Sequence, residues 1–316
     1  MTGGQIDEGV DEWLARATST AADWDREALA GAKPCSVSVV IPARNEASTI
    51  HDVVTRIRRD LMVECPLIDE LIVMDSLSDD ATATIAADAG ASVHSVSDVV
   101  PALGVAAGKG EALWKSQFVA HGEILVFIDA DLTDWGPHFV TGLLGPLFTD
   151  PAVQLVRGFY DRVLDDGSGQ QSVEGGRVTE LVARPLIALH WPELRAVIQP
   201  LAGEWAIRRS LLERLPIPFG YGIELSTLID TWRLLGLPAI GQVDLGHRAH
   251  QHQNLHDLGV MALEILAVAE RRVGREPGDS LRFDRFARNG GWTRRRIDTA
   301  ERLPAISVPA YGRTSD

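Results

Sequence analysis

In Ile124-Leu125-Val126-Phe127-Ile128-Asp129-Ala130-Asp131, five apolar residues run straight into two carboxylates. A run that short suits a strand buried on both faces, and it is far below the about 18 residues a membrane span needs. The same form recurs upstream. Ser36 to Ile41 is apolar and β-branched and stops at Pro42, Leu71 to Met74 is a second short run, and Ser92 to Val96 a third. Between these runs the spacing turns helical, over Ala47 to Leu61 (Ile50, Val53, Val54, Ile57, Leu61), Asp79 to Ala89 and Gly110 to Ala120. Strands that alternate with helices of about 10–15 residues form βαβ units. The expected fold class is therefore α/β, a Rossmann-like, mainly parallel sheet with helices on both faces. In such a sheet ligands collect at the carboxyl ends of the strands.

The flanks are less regular. Residues 1–34 read as a loosely helical lead-in ending at Pro34. Val153 to Phe159 suits a strand, the polar stretch Asp161 to Gly176 a mobile loop, and Arg177 to His190 a helix despite Pro185. Glu204 to Ile207 and Ile240 to Leu245 suit strands, and Glu224 to Leu235 and Leu255 to Arg272 helices. Beyond Gly274 the chain is rich in Arg, Gly and Pro and reads as an irregular tail.

The 316 residues carry 30 Lys plus Arg against 44 Asp plus Glu, a formal charge of −14. That argues against a nucleic-acid partner, because nonspecific binding depends on basic surface. An anionic ligand would have to be met by local cations, backbone N–H groups or a metal. Cys35 and Cys65 are too few for a disulfide framework, and Met1 to Val10 lacks the basic and apolar regions of a secretory signal. A cytoplasmic location and no membrane span are the expectation.

Three polar clusters follow the strands: Pro42-Ala43-Arg44-Asn45-Glu46, Asp75-Ser76-Leu77-Ser78, and Asp129-Ala130-Asp131. Two carboxylates at i and i+2 of an extended segment point the same way and repel unless a cation joins them, and oxygen ligands suit Mg²⁺ or Mn²⁺. By itself Asp-x-Asp is a weak signal. Gly108-Lys109-Gly110-Glu111 precedes a helix, where glycines let backbone approach a phosphate and Lys109 adds charge, so that Lys109→Ala should cost little stability. Gly175-Gly176-Arg177-Val178-Thr179 is a second anion-type segment. His247, His250, His252 and His256 cluster near the end of a strand, where one of them could join the aspartates on a cation.

Together, Val39 to Glu46, Asp75-Ser76, Gly108 to Trp114 and Asp129-x-Asp131 resemble a GT-A glycosyltransferase. Gly175 to Pro185, Gln199-Pro200-Leu201-x-Gly203-Glu204, Gly220 to Glu224 and Arg248-Ala249-His250 resemble more narrowly the actinobacterial glucosyl-3-phosphoglycerate synthases and the related mannosyl-3-phosphoglycerate synthases. The resemblance spans about Ser36 to Arg272. It implies a GT-A fold with a smaller, mostly helical acceptor-side part, hence a nucleotide-sugar-binding half at 35–150 and an acceptor-binding half at 151–273, between the lead-in 1–34 and the tail 274–316. It implies a metal-dependent, retaining transfer of glucose from UDP-glucose to the 2-hydroxyl of 3-phosphoglycerate, and a homodimer. By the same resemblance, Pro42, Ala43, Arg44, Glu46, Ser76, Lys109, Asp129, Asp131 and Glu224 hold the donor, and Gly176, Arg177, Thr179 and His252 the acceptor. Asp131 and His250 bind Mg²⁺ or Mn²⁺, and Asp131, Lys109 and Glu224 serve catalysis. Two positions depart from the pattern. Arg44 stands where the family commonly has an apolar residue, and His252 where it commonly has Asn. The alternatives are a mannosyl transfer from GDP-mannose, another soluble sugar-nucleotide transferase, and a non-catalytic nucleotide-sugar-binding protein.

Overall fold

The computed structural model describes residues 3–165, 171–173, 176–249, 255–286, 288 and 290–312. Its strands are β1 (Thr18–Thr20), β2 (Val37–Ala43), β3 (Glu70–Asp75), β4 (Ser92–Ser95), β5 (Ile124–Phe127), β6 (Leu155–Asp165), β7 (Gln171–Val173), β8 (Trp205–Arg208), β9 (Ile217–Pro218), β10 (Ile240–Ala249), β11 (Ser280–Phe286), β12 (Trp292–Asp298) and β13 (Glu301–Arg302). Among the described residues the main sheet has nine strands, ordered β1-β10-β6-β8-β5-β2-β3-β4, with β7 on β6. β8 runs antiparallel to both β5 and β6. The pairs β1–β10, β10–β6, β5–β2, β2–β3 and β3–β4 are parallel.

The apolar runs form strands because the sheet is buried on both faces. Successive side chains of β2, β3 and β5 enter opposite layers. Val40, Ile72, Met74, Leu125 and Phe127 belong to one core cluster, and Val39, Ile41, Val73, Ile124 and Val126 to the other. Both layers are covered by helices, so the expected α/β class holds. Among the described residues no helix is long and apolar enough to cross a membrane.

Several expectations need correcting. β2 does not stop at Pro42 but runs through it to Ala43. Pairing with β5 ends at Val40↔Phe127, while β3 continues to Ala43↔Asp75, so the missing N–H of Pro42 faces a side that has no neighbour. The lead-in is not loose. It supplies β1 as the sheet edge, and Trp13 is buried with its indole N–H donating to the Ile240 carbonyl at 2.9 Å.

His138–Thr149 is a helix that the apolar spacing did not suggest. Gly142, Gly145 and Pro146 blur its pattern, yet a Cβ at Gly145 would lie 2.0 Å from the Trp24 ring, so that glycine serves close packing. The polar stretch from Asp161 begins inside β6 and includes β7, because the two pair antiparallel as a hairpin. The helix expected from Arg177 contains a π-turn at Thr179–Ala183 before regular helix at Arg184–His190. Pro185 has no N–H to continue a regular ladder across that junction. The tail is ordered as well: β11 and β12 pair as an antiparallel hairpin, and β13 pairs with β9.

If the lead-in is part of the fold, Trp13→Ala should cost about 3–5 kcal/mol, the usual range for emptying a buried aromatic site. Urea unfolding measures it, and an unchanged midpoint would mean that residues 1–34 sit loosely on the sheet.

Candidate functional site

A cavity of about 490 Å³ opens at the carboxyl ends of β2, β3 and β5. All twelve described residues singled out in the sequence line it. Pro42, Ala43, Arg44 and Glu46 come from β2 and the turn beyond it, Ser76 follows β3, and Asp129 and Asp131 follow β5. Lys109 begins the Lys109–Ser116 helix, and Glu224 lies in the first turn of the Ile223–Leu235 helix. Gly176, Arg177 and Thr179 line it as well. His250 and His252 lie outside the described residues. His247 is in β10, exposed, with Nδ1 3.9 Å from Asp161.

The turn after β2 is held by hydrogen bonds rather than by core packing. Asn45 takes a left-handed backbone, its N–H donates to Ser78 Oγ, and its side-chain oxygen accepts from the Asp79 N–H. The Glu46 N–H donates to Thr82 Oγ1 at 2.8 Å. These contacts fasten the β2 turn to the β3 turn, which puts Arg44, Glu46 and Ser76 side by side. Burial lifts the Glu46 carboxyl to about 7, and Asp131 adds to the rise.

At the centre Lys109 Nζ lies 2.7 Å from Asp129 Oδ1 and 2.9 Å from Glu224 Oε1. The Lys109 side chain is 14% exposed, so it is not the surface lysine its loop position suggested. Burial opposes its charge, but the two carboxylates outweigh burial and hold the ammonium above the usual lysine range. Gly203 makes room for Asp129, since a Cβ there would stand 2.1 Å from Asp129 Oδ2.

The glycines around Lys109 have a packing task, and Gly108 also lines the cavity. A Cβ at Gly110 would fall 1.8 Å from the Pro218 carbonyl oxygen, and one at Gly108 2.4 Å from that of Phe219. The first helical N–H groups are also used internally: Gly110 donates to the Gly220 carbonyl and Glu111 to that of Phe219. The loop is glycine-rich because it abuts the 218–220 backbone.

Three contributors were not read from the sequence. Arg157 on β6 is fully buried, and its Nη2 donates to the Glu224 carbonyl at 2.6 Å and to Thr227 Oγ1. Its guanidinium lies 4.7 Å from the Trp205 ring centroid, and burial brings its pKa down to about 10. Glu264 lines the cavity from the Leu255–Arg272 helix and accepts the Tyr221 N–H at 2.7 Å, with burial raising its carboxyl. Tyr221 itself also lines the cavity. The one available signal was Glu264 amid the apolar positions Leu258, Met261 and Ile265 of its helix.

Among described lining residues the cavity has five carboxylates (Glu46, Asp129, Asp131, Glu224, Glu264) against Lys109, Arg44 and Arg177. An anionic substrate needs more positive charge than these supply. Asp129 and Asp131 line the cavity with Glu46 and carry oxygen donors of the kind a hard divalent cation takes. Among the described residues no group of three or more His, Cys, Asp or Glu could by itself hold a metal ion. The cation therefore fits as one that completes its shell with other ligands, as Mg²⁺-type ions do with phosphates.

The glycosyl transferase family 2 model matches residues 38–215. A glucosyl-3-phosphoglycerate synthase of Petrotoga mobilis is 46% identical over 237 residues, covering 75% of this chain and 73% of that protein. The glucosyl-3-phosphoglycerate synthase of Mycobacterium tuberculosis is 49% identical over 242 residues, covering 76% of this chain and 74% of the relative. A crystal structure of the M. tuberculosis enzyme with Mn²⁺, UDP-glucose and phosphoglyceric acid superposes with a TM-score of 0.80 at 43% identity, covering 90% of this chain and 95% of the other.

Lys109→Met leaves Asp129 and Glu224 facing one another without their shared cation. Breaking a largely buried charge pair on one side costs about 3 kcal/mol or more, so the variant should melt well below wild type, contrary to the small effect expected from the loop position. A thermal scan in chelator decides between the two. Equal melting temperatures would show that the trio is solvent-screened and contributes nothing to the fold.

Proposed function

Because this chain belongs to glycosyl transferase family 2, and within it to the glucosyl-3-phosphoglycerate synthases, we propose that its cavity transfers glucose from UDP-glucose to the 2-hydroxyl of 3-phosphoglycerate. The observation that carries the reading is the Lys109 ammonium bonded to both Asp129 and Glu224 in a cavity that Arg177 and Thr179 also line. Pro42, Ala43, Arg44, Glu46 and Ser76 hold the nucleoside, and Lys109 lies towards the diphosphate. Glu224 takes hydroxyls of the glucose, with Arg157 fixing its backbone through the carbonyl. Gly176, Arg177 and Thr179 receive the phosphate or carboxylate of 3-phosphoglycerate, and the Arg fork suits either group. By the family resemblance His252 would also bind the acceptor.

A divalent cation, Mg²⁺ or Mn²⁺, would be held by Asp131 and His250 and would neutralise charge on the diphosphate. Lys109 keeps its proton throughout, so it acts as a fixed charge beside the departing phosphate and not as a base. The nucleophile is the acceptor hydroxyl, and glucose keeps its anomeric configuration. The new bond then forms on the face from which the diphosphate oxygen leaves, and that departing oxygen takes the hydroxyl proton. The working assembly is a homodimer in the cytoplasm.

Purified protein with 3-phosphoglycerate and a panel of sugar nucleotides tests this. UDP-glucose should give the fastest release of nucleotide diphosphate, with GDP-mannose and GDP-glucose slower, and early product should retain the α-linkage by NMR. Turnover with none of them, or with GDP-mannose alone, would contradict the assignment. Arg177→Ala should raise the KM for 3-phosphoglycerate by at least about tenfold, the scale of losing a charge-assisted contact of 1.5–3 kcal/mol. UDP-glucose binding should survive, and equal loss of both substrates would make the segment structural.

A further inference from the structure

The C-terminal segment lies beyond the family-2 match, which ends at residue 215, and none of its residues lines the cavity. It nonetheless reaches the elements that carry the central charges. β13 pairs with β9, with Arg302 opposite Ile217, and the Phe219 N–H donates to the Ala300 carbonyl. From that strand Arg302 enters the space between two aromatic rings, its guanidinium carbon 5.1 Å from the Trp114 centroid and 5.0 Å from that of Phe219. Its Nε and Nη2 donate to the two oxygens of Glu111 at 2.8 and 2.7 Å. Its Nη1 donates to the Leu103 carbonyl at 3.0 Å. The Trp114 indole N–H returns a bond to the Leu303 carbonyl at 2.9 Å.

Glu111 is 1% exposed and lies two residues after Lys109. Its N–H donates to the Phe219 carbonyl, two residues before Tyr221. One guanidinium thus fastens the helix that begins at Lys109 to the segment leading to Tyr221 and Glu224. A bidentate pair in a fixed fork sets orientation as well as distance. The neighbouring residue continues the clasp. Glu301 pairs with Arg272, which pairs with Asp230 at 2.8 Å, joining the Leu255–Arg272 and Ile223–Leu235 helices.

We propose that Arg302 is a positioning residue for the sugar-nucleotide side of the site, setting the Lys109 ammonium against Glu224 through Glu111 and Phe219. The proposal rests on the functional reading above for its ligand, and on the contacts alone for its mechanics. Arg302 never touches substrate. It holds donor-side elements and makes no contact with Gly176, Arg177 or Thr179, so its loss should act on one substrate only.

Arg302→Ala leaves Glu111 buried without its guanidinium and can fail to fold for that reason alone. The informative variant is Arg302→Met combined with Glu111→Gln, which keeps an apolar stem between the rings, removes both charges and leaves the buried Lys115, 3.5 Å from Glu111, with the Val96 and Gly104 carbonyls as acceptors. Three readouts are compared with wild type: thermal midpoint, KM for each substrate, and amide hydrogen exchange over 101–111 and 217–224. The double variant should stay folded, with KM for UDP-glucose raised about tenfold, as for other outer-shell partners, and KM for 3-phosphoglycerate within about twofold. Exchange should rise in those two segments and not in β2 or β3. A folded double variant with wild-type KM for UDP-glucose, or with both KM values raised alike, overturns the proposal. Wild-type protein that fails to use UDP-glucose contradicts the functional reading instead. The exchange pattern then decides the Arg302 claim, and unchanged exchange in the two segments refutes it.

Discussion

One ammonium group joins three separate pieces of this chain. Lys109 opens a helix, Asp129 ends a run begun by β5, and Glu224 lies in the first turn of a helix that follows a second, much later strand. Their side chains meet within 2.7 and 2.9 Å. The rest of the architecture can be read as what makes that meeting possible. The antiparallel β8 sets Gly203 beside Asp129, where no side chain would fit. Gly108 and Gly110 let the Lys109 turn lie against the 218–220 backbone. Arg157, on β6, holds the backbone of Glu224 through its carbonyl.

The trio carries one positive and two negative charges, so it repels an anion overall. That constraint explains why an acidic cavity can serve a diphosphate and a phosphoglycerate only with help. The lysine stands between Asp129 and Glu224 and shields the two carboxylates from one another. Arg177, exposed, also lines the cavity and supplies positive charge there.

Much of this was legible in the sequence because it is local. Apolar runs buried on both faces read as strands, and the polar residues directly after them are where a parallel sheet binds. Arg44, Ser76, Asp129 and Asp131 were found that way. What stayed hidden depends on partners far along the chain. Trp13 is fixed by the Ile240 carbonyl, 227 positions away, and Arg302 by Glu111, 191 positions away. The tail looked irregular because the residues of β11 and β12 are mostly exposed, so few apolar side chains marked them as strands. The packing task of the glycines beside Lys109 was hidden for a related reason: a glycine required by close backbone packing and one required by a phosphate look alike in sequence.

The account's central claim is that this acidic cavity binds a sugar nucleotide through a cation. Calorimetric titration of UDP-glucose into the protein, once with Mn²⁺ and once in chelator, addresses it without depending on the acceptor or on turnover. Affinity should be at least about tenfold higher with the cation, equivalent to about 1.4 kcal/mol. Equal affinity in the two titrations would contradict the claim, and would leave Lys109 and Arg44 as sufficient for the diphosphate.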